Sequence, residues 1–495
     1  MTERAQTPDT NRHSSPHRRV GLVLGPLLCT VMLALPAPEA MTAEAWNTAA
    51  VAVLMAVWWA TEALPVPVTA LMPLILFPVL GIATMRAAAA PFAHPLIFLF
   101  LGGFLIALAM QRSNLHRRIA LNIVAMVGTR PQALVPGFMI ATASISMWVS
   151  NTATTMMMMP IAVSVAAIIL NNSNGESDRD RRNFATALLL GIAYSASIGG
   201  LATLIGTPPN AFLAAFMEQT HGAAIGFADW MTFGLPVVFV LLPLCWWVLT
   251  RHAHRFALST SKEAGDQIAA AIRQLGPMSP PERRVAIIFG LAATLWMTRP
   301  LLTKLPGLGG LSDAGIALFC GAILFLVPSG PGDRQPLMNW EWAERLPWGV
   351  LILFGGGLSL AAAMSTSGLA GWIGTSLAIF GTWHILVLIF AVTACVLFLT
   401  ELTSNTATTA AFLPVVGALA VSAGHDPLLL AAPAAVAASC AFMLPVATPP
   451  NAIIYGSGHV TIGQMIRAGL AINLGGLAAI LGLSYLLLPL LFAGR

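Results

Sequence analysis

Apolar runs long enough to cross a bilayer fill most of the chain, separated by short polar or charged stretches. One crossing takes about 20 mostly apolar residues. The runs predict helices near 20–36, 46–63, 66–84 and 93–111, then near 231–250, 285–300, 312–328, 348–368 and 468–492. Two longer runs, 133–170 and 384–423, carry the same polar letters SNTATT near their middles, at Ser150 to Thr155 and Ser404 to Thr409. A continuous helix over 133–170 would extend about 57 Å at 1.5 Å per residue, too far for one crossing. Each run is therefore expected to enter, turn at its polar tip and return. Two further runs, 185–217 and 428–457, are interrupted by GGLATLIGTPPN and PVATPPN and predict broken helices. The pattern reads as an all-α polytopic membrane protein with about 11 transmembrane helices plus two re-entrant hairpins.

The halves repeat. GGFLIALAM at Gly102 to Met110 aligns with GGLSLAAAM at Gly356 to Met364 at an offset of 254, which also relates the two SNTATT copies. TPPNA at Thr207 aligns with TPPNA at Thr448 at an offset of 241, because the first half carries the longer polar loop NNSNGESDRDRRN. Each half runs helix, hairpin, broken helix, with the first hairpin opening from the cytoplasm and the second from outside. That order is the signature of inverted-topology repeats, which meet near the membrane midplane in secondary transporters.

Composition agrees: of 495 residues 57% are hydrophobic and 9% charged, and mean hydropathy is +0.81. Cytoplasmic loops collect Lys and Arg. With the N-terminus cytoplasmic and the C-terminus periplasmic, 20 of the 24 basic residues fall inside, and Arg86, Arg299, Lys304 and Arg495 fall outside. The net charge of +5 thus reports topology and gives no support to nucleic-acid binding. The basic start before an apolar run near 20–36, with ALPAPEA after it, also fits a signal peptide, but a retained first helix suits the many later spans better. Cys29, Cys245, Cys320, Cys395 and Cys440 lie singly, which indicates neither a disulfide framework nor a zinc site.

Inside a bilayer, non-helical backbone survives where it is buried in protein or lines a wet cavity. Two tips and two breaks would gather freed carbonyls, Ser and Thr hydroxyls and Asn amides. These neutral oxygens suit sodium better than calcium or magnesium, which normally recruit carboxylates. Helices that restart after a break offer N–H groups and positive dipole ends to an anion. A lone Ser-Asn-Thr is ordinarily packing or an interhelical hydrogen bond; its duplication in register, each copy paired with a TPPN break, favours a site. Met156 to Met159 read as packing, RHAHR at 251–255 as solvated charge and Glu62 as a helix end. Glu401, opposite Met147 in the repeat, reads as hydrogen-bonded structure, with proton coupling as the alternative.

The paired Ser-Asn-Thr tips, GTPPNA, ATPPNA and TELTSNTATT closely resemble the divalent anion:sodium symporter family, which includes sodium-dependent dicarboxylate and citrate cotransporters. The resemblance runs from about residue 45 to 490. It implies a homodimer in the lipid of the inner membrane, each protomer with a scaffold and an elevator-type transport domain. The chain then divides into a cytoplasmic N-terminal tail 1–19, scaffold helices 20–92 and a first repeat 93–230 with hairpin 133–170 and broken helix 185–217. Scaffold helices and the cytoplasmic loop 251–284 occupy 231–347. A second repeat, 348–467, has hairpin 384–423 and broken helix 428–457, and 468–495 is the last helix.

The same resemblance implies two sodium sites flanking one small dicarboxylate anion, with sodium as coupling ion and no cofactor. One sodium site would use Ser146, Ser150, Asn151 and the backbone at Gly199; the other, Thr400, Asn405 and the backbone at Thr403 and Ala447. Ser146 and Thr400 are repeat mates, which supports that assignment independently. The anion would touch Asn151, Thr152, Gly200, Asn405, Thr406 and Pro449. Within the tips, Ser150, Asn151, Ser404 and Asn405 would face cations, Thr152 and Thr406 the substrate, and the trailing ATT would pack the hairpins. The repeat places Cys440 and Ala441 opposite Gly199 and Gly200, a departure from symmetry.

The expected function is sodium-coupled symport of a C4-dicarboxylate such as succinate, malate or fumarate. Rivals within the family are sodium-independent exchange and transport of sulfate or a tricarboxylate. An enzyme is disfavoured: neither lysine lies in a span, no G-x-S-x-G occurs, and no lysine follows glycine as a phosphate-binding loop requires. A channel fits less well than alternating access, because both repeats enclose their tips.

Overall fold

The computed structural model describes residues 16–128, 130–172, 177–258, 262–330 and 333–492. Residues 1–15 of the expected N-terminal tail and Arg495 lie outside the described residues. Among those described, nine helical segments are long and apolar enough to cross a membrane, and four further apolar helices are shorter. The protein is a mostly helical, multi-pass membrane protein.

The chain opens with α1 (Pro16–Ala34) and α2 (Ala43–Thr61), which pack together, α2 being capped by the Thr42 hydroxyl. The helix expected over 66–84 is not continuous. It is divided into α3 (Val66–Thr69) and α4 (Met72–Val79) just before Pro73, whose ring crowds the turn preceding it, while Pro67 stands in the first turn of α3 and Pro78 within α4. Helix α5 (Met85–Ala89) leads to α6 (Pro95–Arg112), and α7 (Leu115–Val127) follows, at 13 residues too short to register as a crossing.

The first long run is divided at its polar letters into α8 (Pro131–Ser146) and α9 (Asn151–Asn172). The first broken run becomes α10 (Asp178–Gly200) and α11 (Pro208–His221). Next come α12 (Phe227–Trp247), α13 (Lys262–Leu275), α14 (Pro280–Leu302) and α15 (Asp313–Leu326). The segment 251–284, expected as a loop, therefore contains a helix of 14 residues that packs on α7 and α9. Strands β1 (Pro328–Gly330) and β2 (Asp333–Pro336) form a small antiparallel hairpin, followed by α16 (Trp340–Ala343).

The second half repeats the series: α17 (Trp348–Thr366), α18 (Leu369–Ser376), α19 (Ile385–Leu399), α20 (Asn405–Ser422), α21 (Leu428–Ala438) and α22 (Pro449–Gly456). Helix α23 (Ile462–Phe492) closes the chain and begins six residues before its expected start at 468. Gly102 on α6 and Gly356 on α17, repeat mates, each abut the backbone of another helix. A methyl group at Gly102 would strike Ala317 of α15, and one at Gly356 would strike the Ala70 carbonyl at the α3–α4 break. The two opening helices of the repeats are thus held against their neighbours at matched points.

Charged side chains tie helix ends. Arg118 of α7 grips Glu282 of α14 through Nε at 2.9 Å and Nη2 at 3.1 Å, while Glu282 closes a capping box with Ser279. At another set of ends, Arg299 Nε lies 2.7 Å from Asp313 Oδ1, and Asp313 Oδ2 accepts the Phe227 N–H at 2.8 Å. That carboxylate joins the start of α12 to α14 and α15. A continuous core of buried Leu, Ala, Phe and Ile runs through both repeats, and α10 is almost wholly enclosed in it.

Candidate transport site

At the first tip α8 ends on Ser146 and α9 begins on Asn151. The buried Ser146 Oγ lies 2.6 Å from Asn151 Oδ1 and 2.5 Å from the Ala196 carbonyl of α10. One hydroxyl has one proton to donate, so one of these close oxygen pairs has no hydrogen between them. At the second tip Thr400 Oγ1 lies 2.8 Å from Asn405 Oδ1 and 2.8 Å from the Ala438 carbonyl of α21. The arrangement is the same: hydroxyl, amide oxygen and carbonyl converge with a single proton among them. Such a cluster is short of positive charge and suits a small cation bound by neutral oxygens. Among the described residues no group of three His, Cys, Asp or Glu gathers as a metal site, so a cation held here would rely on these oxygens.

The remaining predicted ligands fall around these clusters. Gly199 is buried, and a methyl group there would collide with the Ala143 backbone, so glycine lets α10 meet α8 at the level of the tip. Gly200 adjoins the tip directly: a methyl carbon on it would stand 2.9 Å from Asn151 Oδ1. Ser150 is exposed and its Oγ accepts the Ala153 N–H at 3.4 Å, while Asn151, Thr152 and Asn405 are half-buried. Thr403 Oγ1 donates within its hairpin, to the Leu399 carbonyl at 3.0 Å, or pairs with Thr408 Oγ1 at 2.6 Å, which leaves its backbone as the available group. Thr406 and Ala447 are buried and Pro449 is exposed. Among the described residues no hydrogen bond joins the two tips directly.

Helix packing brings the halves together crosswise. Helix α9, which leaves the first tip, packs on α22 of the second break, and α20, which leaves the second tip, packs on α11 of the first. The breaks also touch, with Thr207 Oγ1 3.3 Å from Ser439 Oγ.

Both breaks are organised by residues the sequence reading did not single out. Asn210 Nδ2 donates to the carbonyls of Gly200, Leu201 and Thr203 at 3.1, 3.3 and 2.8 Å. Asn451 Nδ2 donates to those of Ala441 and Leu444, each at 3.0 Å. Both asparagines were visible as the last polar letter of the two TPPN motifs. Helices α11 and α22 restart with proline in the first turn, where a missing N–H costs nothing.

Glu401 breaks the symmetry. Its carboxylate accepts N–H groups from Phe442, Met443 and Leu444 at 2.8 to 3.1 Å and the Asn473 amide of α23 at 2.7 Å. It clamps the second break from beside Thr400. In the first repeat, Thr203 holds the corresponding loop, donating to the Met147 carbonyl at 2.5 Å and accepting the Gly206 N–H at 3.0 Å. The structural reading of Glu401 therefore accounts for both oxygens.

Another cavity is lined by none of the tip residues. That space, about 420 Å³, sits between the C-terminal parts of α11, α17 and α20 and helix α18. The oxygens at the tips carry the chemistry, whereas this cavity is mainly lined by apolar side chains.

Comparison with known proteins identifies related membrane transporters. Residues 17–493 match the family described as "Sodium:sulfate symporter transmembrane region". The sodium-dependent dicarboxylate transporter SdcS of Staphylococcus saprophyticus is 43% identical over 473 residues, 95% of this chain and 91% of that protein. SdcS of Staphylococcus aureus is 42% identical over 475 residues, again 95% of this chain and 91% of its own. The crystal structure of the Alcanivorax borkumensis YdaH transporter, 15% identical, covers 95% of this chain and 98% of its own with a TM-score of 0.54, a likeness of fold alone. With the family matched over nearly its full length, the chain belongs to the sodium:sulfate symporter family of membrane transporters and is not an enzyme.

Proposed function

We propose that the protein is a sodium-coupled symporter of a C4-dicarboxylate such as succinate, malate or fumarate. The observation that carries this reading is the pair of matched tips, each setting a hydroxyl, an amide oxygen and a carbonyl around one proton. One sodium ion binds Ser146, Ser150, Asn151 and the Gly199 backbone; a second binds Thr400, Asn405 and the backbone of Thr403 and Ala447. The anion lies between them, held by Asn151, Thr152, Gly200, Asn405, Thr406 and Pro449. Positive ends of the restarted helices and the two cations supply the charge that draws it there. No Arg or Lys occurs in 131–172 or 385–422, so the bound sodium ions must neutralise the substrate. This makes coupling a consequence of electrostatics: without sodium, a dianion would enter a site of neutral dipoles at a high desolvation cost.

The basic residues favour an inner-membrane orientation with the N-terminus cytoplasmic and C-terminus periplasmic. In that frame α8–α9 and α19–α20 are re-entrant hairpins of inverted repeats among about 11 crossings. The site-bearing elements α8–α11 and α19–α22 move as a transport domain in an elevator-type cycle. The helices before and between the repeats form a scaffold that pairs with a second protomer. The C4-dicarboxylate reading is supported by the names of the relatives that are 42 and 43% identical. Sulfate, named in the family description, is the alternative. Competition in proteoliposomes separates them: unlabelled malate and fumarate should suppress succinate uptake at concentrations where sulfate and citrate do not. Equal or stronger suppression by sulfate would overturn the dicarboxylate assignment.

A further inference from the structure

At one membrane end of α12, its last turn widens into a π-helical segment over Val248–Ala253, a local irregularity often found at functional sites. Beside it a cavity of about 190 Å³ is lined by Gln132, Trp246, Thr250, Arg251, Phe256 and Ala257. Its one charged lining residue is Arg251, whose exposed side chain belongs to the RHAHR motif that the transport reading leaves unused. Trp246 Nε1 is buried and has no hydrogen-bond partner. Gln132 stands at the second position of α8, so the positive end of that helix borders the same space.

We propose that this cavity binds the phosphate group of an anionic phospholipid. The chemistry suits an oxyanion: a guanidinium and a helix N-terminus border the space, the lining residue Trp246 carries an unpaired indole N–H buried beside it, and no carboxylate lines it among the described residues. The place fits a headgroup. Trp247, exposed and stacked on His252, sits at the end of a long apolar helix, where aromatic side chains mark the interface. Arg130 and Arg255 are exposed nearby in sequence, and the Asn183 amide fixes the Arg255 carbonyl at 2.6 Å. Burial pushes the pKa of His254 down to about 4, so this histidine adds no charge to the motif at neutral pH. Basic pockets between helices on this face are a recurring mode of phospholipid recognition.

The site lies away from the tips, so its test does not depend on the transport reading. Delipidated protein is titrated with dioleoylphosphatidylglycerol, dioleoylphosphatidylcholine and inorganic phosphate, and bound molecules are counted by native mass spectrometry. Phosphatidylglycerol should bind about tenfold more tightly than phosphatidylcholine; Arg251→Gln should remove that preference, and Trp246→Phe should weaken it about threefold. Arg251→Lys, which keeps the charge, should retain part of the preference and serves as the folding control. Phosphate binding with the same dependence on Arg251, but no phosphatidylglycerol preference, overturns the phospholipid assignment and leaves an anion pocket served by soluble phosphate. Phosphatidylglycerol binding indifferent to both Arg251→Gln and Trp246→Phe overturns it.

Discussion

Asn210 and Asn451, 241 positions apart, hold carbonyls that are themselves 241 apart: Gly200 with Ala441, and Thr203 with Leu444. The two breaks are therefore built on one plan even though glycine occupies the first and alanine the second. Each asparagine satisfies backbone oxygens that the broken helix frees in a place without bulk water.

Removing either amide leaves carbonyls that have no second donor unpaired, at about 1–3 kcal/mol for each buried group. Asn210→Ala leaves the Gly200 and Thr203 carbonyls without a donor, while Leu201 keeps Trp230 Nε1; Asn451→Ala leaves only Ala441, since Leu444 keeps the Ala447 N–H, so Asn210→Ala should lower the unfolding temperature in detergent more. Equal melting temperatures for wild type and both variants would refute the latch.

Glu401 holds the second break through both oxygens, so a neutral isostere should not replace it. Glu401→Gln turns an amide N–H toward backbone N–H groups and loses charge-assisted bonds worth about 1.5–3 kcal/mol each. The expected result is a lower melting temperature together with a raised sodium concentration for half-maximal uptake. Its repeat mate tolerates change: Met147→Leu, similar in volume, should cost less than about 1.5 kcal/mol. A Glu401→Gln protein with unchanged melting and sodium dependence would remove the clamp from the account.

Close approach of α10 to α8 requires glycine at 199. Gly199→Ala should abolish or severely reduce uptake, because its methyl group meets the Ala143 backbone rather than a movable side chain. Gly290→Ala on α14, where nothing lies within 4 Å, should be neutral or stabilising by about 0.5–1 kcal/mol. Comparable activity in the two variants would show that the approach has no bearing on the site.

The Arg118–Glu282 pair is nearly enclosed, with side-chain exposures of 15% and 5%. Breaking one partner should cost about 3–5 kcal/mol, because the other charge is left without its counterpart. In a double-mutant cycle with Arg118→Met and Glu282→Gln, followed by thermal unfolding, the double variant should lose less than the sum of the two single losses. Additive effects would mean that the two charges do not depend on each other.

Much of this architecture was legible in the chain because lipid demands long apolar runs and because SNTATT and TPPN recur in register. Asn151 and Asn405 stand inside that recurring motif, whereas Ser146 and Thr400 were named from the resemblance to the family and agree with it as repeat mates. What could not be read were their partners: the carbonyls of Ala196 and Ala438 belong to residues whose letters carry no polar signal. The two short helices α7 and α18 fell below the length that marks a crossing. Helix α13 was hidden by its charged, loop-like composition. The 66–84 segment reads as one helix because its apolar content is continuous across the break that Pro73 follows. Glu401 was visible as a lone buried acid, but its donors come from a loop some 40 residues on and from α23, a contact set by the fold alone.

The central claim is that two neutral-oxygen tips bind the sodium that lets a dianion enter. The direct measurement is labelled succinate uptake into proteoliposomes carrying wild type, Asn151→Ala or Asn405→Ala, under an imposed sodium, potassium or proton gradient. The account predicts uptake by wild type under the sodium gradient alone, and at least a tenfold loss in each variant with the folded protein retained. Robust uptake without sodium, or full activity in either variant, would contradict it.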